Sequence, residues 1–198
     1  MTLKTFINTY KNRYLEWDNS GSKSTNQCVD LAKAWLQQRD GTKVNTGPGM
    51  ATWGNAKYWW INFPKKLSDA GYSKIHPTMQ PLDGDVAVFD GEYGHVSIVC
   101  DEDKYNGKTF YTFDQNWPTG SKCKKVNHDK TKLLGFLRRE YVVCREANIR
   151  AGSSITSKIV DTVPKGTKLI VTGKYGKWYR ILYKGSNRYI NAYCLTLN

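Results

Sequence analysis

The sequence has no apolar run approaching the roughly 18 residues of a membrane span, and its start, Met1-Thr2-Leu3-Lys4-Thr5-Phe6, is too short and polar for the apolar region of a secretory signal. The expectation is a soluble chain that the Sec route does not export. Metal-ligand rhythm is missing too. Cys28, Cys100, Cys123, Cys144 and Cys194 form no CxxC pair, and an odd count leaves at least one thiol free, which fits synthesis in a reducing compartment. There is no zinc-finger spacing, no P-loop and no contiguous Lys/Arg block, so the seven tryptophans and the basic charge give a nucleic-acid binder little support. No Pro- or Ser-rich linker interrupts the chain, so any separate units should sit close together.

What is present is length, charge and punctuation. A chain of 198 residues can bury one good core, or a medium core and a minimal one. Lys and Arg number 30 against 17 Asp and Glu, a net charge of +13 suited to an anionic polymer. The excess is uneven: residues 1–140 carry 20 basic and 15 acidic side chains, residues 141–198 carry 10 and 2. Near Arg138-Arg139-Glu140 the pattern also changes, from long amphipathic stretches and apolar strands to short alternating runs spaced by Gly, Pro and Lys. We therefore expect an α+β unit over 1–140, with helices packed on an antiparallel sheet, and a small all-β barrel over 141–198.

Within the first unit, Phe6 to Leu15 has helical spacing. Ser24, with Gln27 three residues on, matches a capping box opening a second helix that Gly41 closes; this puts Cys28 in its first turn, with Cys28, Ala32 and Trp35 on one face. Thr46-Gly47-Pro48-Gly49 leads into Trp53-Gly54-Asn55-Ala56 and Tyr58-Trp59-Trp60, mostly core rings, with Trp53 and Asn55 on a groove wall. Pro81-Leu82-Asp83-Gly84 is turn chemistry before a buried strand, Asp85 to Phe89. In the next strand His95, Ser97 and Val99 face one way and Val96 and Ile98 the other. Phe110 to Asn116 reads as a further strand with Thr112, Asp114 and Asn116 on one face.

A thiol is a useful nucleophile only as thiolate, which a helix N-terminus and a neighbouring imidazolium favour. Cys28 has the helix end, His95 is the candidate base and Asp114 the group that orients it, with first-turn N–H groups and Gln27 beside a developing oxyanion. The other four cysteines read as structural. His76 and His128 lie in polar, turn-like sequence and are expected in solvent, and Asp83, Asp85, Asp101 and Asp103 read as turn and loop carboxylates.

Asn26-Gln27-Cys28-Val29-Asp30, Gly84-Asp85-Val86-Ala87-Val88-Phe89, Gly94-His95-Val96-Ser97-Ile98-Val99 and Asp114-Gln115-Asn116-Trp117 together resemble a CHAP domain, in order and spacing. The resemblance implies a papain-like cysteine amidohydrolase that cuts peptidoglycan, either at the glycan-to-peptide amide or within the stem or cross-bridge peptide. It implies Cys28 as nucleophile, His95 as base, Asp114 where the family commonly has Glu, and Asn116 completing the site; Trp117 joins Gln27, Trp53 and Asn55 as groove candidates. Some relatives bind calcium in the loop before the cysteine, but Asn19, Gly21, Lys23 and Thr25 offer no carboxylate there. With only Asp30, and Asp18 if the loop shifts, no metal or other cofactor is expected.

Ala147 to Ser154, Val163 to Leu169 and Gly176 to Ile181 resemble a bacterial SH3-like domain, although the usual Gly-Trp-Val near its end is here Arg188-Tyr189-Ile190. Such a domain implies wall binding, with Tyr175, Trp178, Tyr183, Tyr189 and Tyr193 as candidate stacking rings, about half of them expected in the core. The sequence puts Cys144 and Cys194 near the two ends of this unit without deciding whether they pair. The combined resemblance implies a monomeric phage endolysin, made in the host cytoplasm, released by a holin, and acting on Gram-positive peptidoglycan, with the wall's anionic polymers as a second candidate partner. A catalytically silent wall-binding protein is the rival reading, and a basic nucleic-acid binder a more remote one.

Overall fold

Thr2 opens the first helix by accepting the Thr5 N–H on its hydroxyl, and α1 runs over Leu3–Tyr10. The computed structural model describes residues 1–17, 27–41 and 53–197. α1 stops short of the expected Leu15 because the chain then pairs elsewhere: Asn12 N–H bonds Cys123 O and Cys123 N–H bonds Arg13 O, which ties it to the segment after β4 (Thr109–Asp114). α2 spans Cys28–Asp40 and Gly41 caps it, as its left-handed φ of 61° allows. Two short helices follow, α3 over Tyr58–Ile61 and α4 over Lys65–Asp69.

Six antiparallel strands form the first sheet: β1 (Tyr72–Ile75), β2 (Val86–Phe89), β3 (His95–Cys100), β4, β5 (Lys124–Asp129) and β6 (Leu133–Arg139), in the order β1-β6-β2-β3-β4-β5. β2 and β3 are central and buried throughout, which is why they read as continuous apolar runs. Period two sends Val96, Ile98 and Cys100 of β3 into the core shared with α1 and α2, around Phe6, Leu31, Trp35 and Trp59. Val99 goes to the opposite face with Ala87, Phe89, Phe110 and Phe136. The α+β expectation with an antiparallel sheet is met.

After Glu140 the chain is all-β, built from β7 (Tyr141–Val143), β8 (Ala147–Arg150), β9 (Ile159–Val163), β10 (Lys168–Leu169), β11 (Val171–Tyr175), β12 (Trp178–Tyr183), β13 (Ser186–Asn191) and β14 (Leu195–Leu197). It is SH3-like, as expected: the strands make a five-stranded sheet, β11-β12-β13-β8-β9, and a three-stranded one, β10-β7-β14, with no closed barrel among the described residues. The chain switches sheets at the exposed Ile170 between β10 and β11. Val143, Ile149, Val171, Ile181 and Ile190 fill the space between the sheets, joined by Leu82 from the first unit.

The two units touch through polar bonds as well. Arg138 of β6 is buried and donates to Val171 O of β11, and Lys174 N–H donates to Gln80 Oε1 at 3.0 Å. Lys174 also forms an ion pair with Glu102.

Candidate active site

α2 begins one turn later than the Ser24 box implies. Ser24 lies outside the described residues, as do the loop positions weighed for calcium and the Thr46 to Gly49 run. Gln27 is the N-cap in extended backbone, and Asp30 Oδ2 accepts its N–H at 2.7 Å while Oδ1 accepts the Trp17 N–H at 3.2 Å. The capping chemistry is thus that of Gln27 and Asp30, and it makes Cys28 the first helical residue, where N–H groups lack intrahelical partners. Asp30, one of the two carboxylates considered for calcium, is taken up by this cap, and Asp18 lies outside the described residues.

Gln115 was not singled out by sequence, yet it anchors this corner. It is fully buried and turned away from the Asp114 face, as alternation predicts. It accepts Leu15 N–H at 2.7 Å and donates to Leu15 O at 2.8 Å and Gln27 O at 2.9 Å, so it stitches the backbone entering Cys28 to the end of β4.

His95 is the first residue of β3. Gly94 before it has φ +73°, and a Cβ there would stand 2.5 Å from Lys57 N, so only glycine lets the 53–57 segment close over the strand. The His95 ring is buried, lines the same cleft as the Cys28 thiol, and puts Nε2 3.4 Å from Asp114 Oδ1. Burial works against charge on His95, but the neighbouring Asp114 carboxylate and Cys28 outweigh it and raise the pKa to about 9. Asp114 is wholly buried; burial favours its neutral form, and the bonds from His128 and His95 overcome this and hold the carboxyl below its ordinary value.

His128 corrects the sequence reading, which put it in solvent. It is buried on β5 with Nε2 2.7 Å from Asp114 Oδ2, an oxygen that also accepts the Thr112 hydroxyl at 3.0 Å. The β4–β5 register pairs Phe110 with His128, so the ring shares the face of β4 that carries Thr112 and Asp114. A strand of polar residues with one buried position looks like a turn from sequence alone. His95, Asp114 and His128 place their polar atoms within 4.8 Å of one another, with both Nε2 atoms directed at the Asp114 carboxylate.

Asn116 does not reach His95. β4 ends at Asp114 and Asn116 has φ 63°, so alternation no longer applies; its Nδ2 donates to Gln27 Oε1 at 3.0 Å and its Oδ1 accepts Gly120 N–H at 2.6 Å. A cleft of about 620 Å³ opens over Cys28 and His95, walled by Gln27, Asn55, Tyr93, Asn116, Trp117 and Thr119. Trp117 is 45 % exposed with its ring 4.8 Å from that of His95. Trp53, expected on the wall, instead packs edge-on against the buried Trp59 at 4.8 Å. A second hollow, of about 430 Å³, lies between α1 and the Asp101–Lys125 ion pair and holds Cys100, whose burial pushes its thiol up to about 12. Burial does the same to Cys123, so neither is a ready nucleophile.

In the second unit, Tyr175, Trp178 and Tyr189 lie on the outer face of the five-stranded sheet. Tyr175 packs edge-on to Tyr189 at 5.8 Å, and Arg180 Nη1 donates to its hydroxyl at 3.0 Å. Tyr193 is 66 % exposed beyond β13. Tyr183 faces the other way, against the core, and its hydroxyl donates to Asp161 at 2.7 Å. Cys144 and Cys194 are both free thiols in adjacent backbone, joined by Cys144 N–H to Cys194 O at 2.9 Å.

The CHAP domain family matches residues 17–116, and the bacterial SH3 domain family matches residues 145–196. No curated protein matches the chain. Among solved structures it is similar to a wild-type endolysin, LysIME-EF1, at 24% identity and a TM-score of 0.49 over 69% of this chain. It spans 62% of that protein's chain. It is also similar to Ly7917, at 16% identity and a TM-score of 0.46 over 96% of this chain and 92% of that one. NlpC2 from Trichomonas vaginalis matches at 15% identity and a TM-score of 0.31 over 65% of this chain and 48% of that one.

Proposed function

The chain belongs to the CHAP domain family, and from that premise we propose that it hydrolyses an amide bond of Gram-positive peptidoglycan with Cys28 as nucleophile. The observation that carries this reading is one buried imidazole, His95, that shares a cleft with the Cys28 thiol at the start of α2 and is backed by the Asp114 carboxylate. With Nε2 turned to Asp114, Nδ1 is the nitrogen left for sulfur. The thiol proton passes to that nitrogen, the thiolate forms a C–S bond to the substrate carbonyl carbon, and the C–N bond breaks as His95 returns the proton to the leaving amine. Water, deprotonated by His95, then attacks the thioester, frees the acid and restores the thiol. The N–H groups at the very start of α2, beside Cys28, with the Gln27 amide held by Asn116, face the developing oxyanion.

In this proposal residues 1–140 are the catalytic unit and 141–198 the wall-binding unit. Tyr175, Trp178, Tyr189 and Tyr193 offer stacking area, and the basic surplus of the tail attracts anionic wall polymers in a salt-sensitive way. Binding to the wall raises the local concentration of substrate without new chemistry at Cys28. The proposed biological role is that of a monomeric, endolysin-like lysin made in a host cytoplasm and released to the wall.

The test is turbidity loss of a panel of Gram-positive walls with wild type and Cys28→Ala, with new termini identified by mass spectrometry. Lysis by the wild type alone is expected; lysis by both, or by neither on any wall, defeats the cysteine mechanism. The new termini separate N-acetylmuramoyl-L-alanine amidase from endopeptidase activity. Tyr175→Ala and Trp178→Ala should weaken wall retention of the full chain at low salt, and unchanged retention would defeat the tether.

A further inference from the structure

Asp114 is bonded more closely to a second histidine than to the first. Its Oδ2 lies 2.7 Å from His128 Nε2, and its Oδ1 lies 3.4 Å from His95 Nε2. His128 is closed off from water by Phe89, with ring centres 4.8 Å apart, and by Trp117 at 5.4 Å. A buried polar ring needs a partner, and His128 has one in Asp114. The polar and titratable groups packed around this pair are Thr112 on β4, His95 on β3 and Cys28 on α2. Asp129, next to His128 on β5, is exposed and accepts the Thr131 N–H. An ionised carboxylate only accepts, so both ring nitrogens that touch Asp114 donate to it.

We propose that His128 is a positioning residue for the cysteine chemistry, its Nε2–H fixing the Asp114 carboxylate so that the other oxygen is held for His95. This rests on the roles given above to Cys28, His95 and Asp114. A carboxylate at the end of a strand can rotate about its last torsion. Two donors on Oδ2, from Thr112 and His128, stop that rotation and leave Oδ1 aimed at β3. They also replace water around a fully buried charge. Without the His128 donor, burial pushes Asp114 toward its neutral form, and a neutral acid no longer supports an imidazolium at His95. His95 would then give up its proton at lower pH and be a weaker base toward Cys28.

The test compares His128→Phe, which keeps the ring's bulk without the donor, with His128→Gln, whose amide puts a neutral N–H near the position of Nε2. Two readouts are taken: alkylation of the Cys28 peptide by iodoacetamide at pH 7, followed by mass spectrometry, and the pH profile of wall lysis with kcat and KM resolved. H128F is expected to alkylate several-fold more slowly, to lose about tenfold in kcat at unchanged KM, and to move the alkaline limb of lysis to lower pH. H128Q is expected to recover most of each. A wild-type alkylation rate and alkaline limb in H128F would overturn the proposal, and so would an H128Q variant as impaired as H128F, which would reduce the ring to filler. Should H128F not fold, His128→Met asks the same question with a flexible side chain. If Cys28→Ala lyses walls as the wild type does, the proposed reaction fails, and His128 is still judged by the alkylation rate alone.

Discussion

Arg138 grips Asp85 with two nitrogens, Nε 2.9 Å from Oδ1 and Nη2 2.5 Å from Oδ2, and spends its remaining donors on the Val171 and Gln80 carbonyls. Asp85 read as a loop carboxylate from sequence; it is 3 % exposed and is the counter-ion that lets a guanidinium cross between the two units.

Arg138→Met should therefore cost about 3–5 kcal/mol, because it leaves Asp85 charged, buried and short of its partner. Urea unfolding of the full chain measures this. A loss below about 1 kcal/mol would mean that water replaces the guanidinium and that the clasp is not needed to join the units.

Gln115→Leu keeps the volume of the side chain and removes its bonds to Leu15 and Gln27. Stability should fall by about 2–4 kcal/mol as buried backbone groups lose their partners. Cys28 alkylation should slow as well, since the carbonyl just before Cys28 loses its tether. A stable variant with an unchanged alkylation rate would show that the Gln27–Asp30 cap alone holds the start of α2.

Gly94→Ala puts a methyl 2.5 Å from Lys57 N and 2.8 Å from Phe89 O in backbone that already has φ +73°. We expect lysis to fall more than tenfold as the 53–57 wall of the cleft is forced off His95. Gly107→Ala is the control: its φ is +91° but nothing lies within 4 Å, so it carries backbone strain of about 1 kcal/mol without a clash and should leave lysis intact. Equal losses in the two variants would put the cause in strain and not in the close approach.

The pH dependence of stability follows from His95 and Asp114. His95 has its folded pKa raised from 6.5 to about 9, so its contribution is full below about 6.5 and is lost as pH rises through about 9. Asp114 is lowered, so its contribution is present above the ordinary carboxylate value and is lost as pH falls through its depressed one. Melting temperatures from pH 6 to 10 should decline on the alkaline side in the wild type and less so in His95→Asn. Parallel declines in the two would remove His95 as the source.

Much of the site was legible because its signals are local. An apolar run starting at His95 and bounded by Gly94 gives a buried strand with the imidazole at its head, and Cys28 before a stripe of Ala32 and Trp35 gives a helix start. The misreadings share a different cause. Ser24 and Gln27 match a capping box as well as Gln27 and Asp30 do, and Asn116 continues a period of two on paper although the chain turns at Gln115. Trp53 and Trp117 have the same apolar area, yet one packs on Trp59 and the other stands over His95.

The order of the parts can be read along the chain: a cysteine at a helix start, a histidine leading a central strand, an acid closing the next, and a basic all-β tail. These rest on periodicity, turn residues and charge, which act between neighbours along the chain. Three features come from folding alone: the division of the tail into two sheets, the Arg138–Asp85 clasp that joins the units, and the bonding of Asp114 to two histidines. Each depends on strand register and on burial between segments far apart in sequence; the β4–β5 ladder takes His128 from polar surroundings in the sequence to a sealed position in the fold.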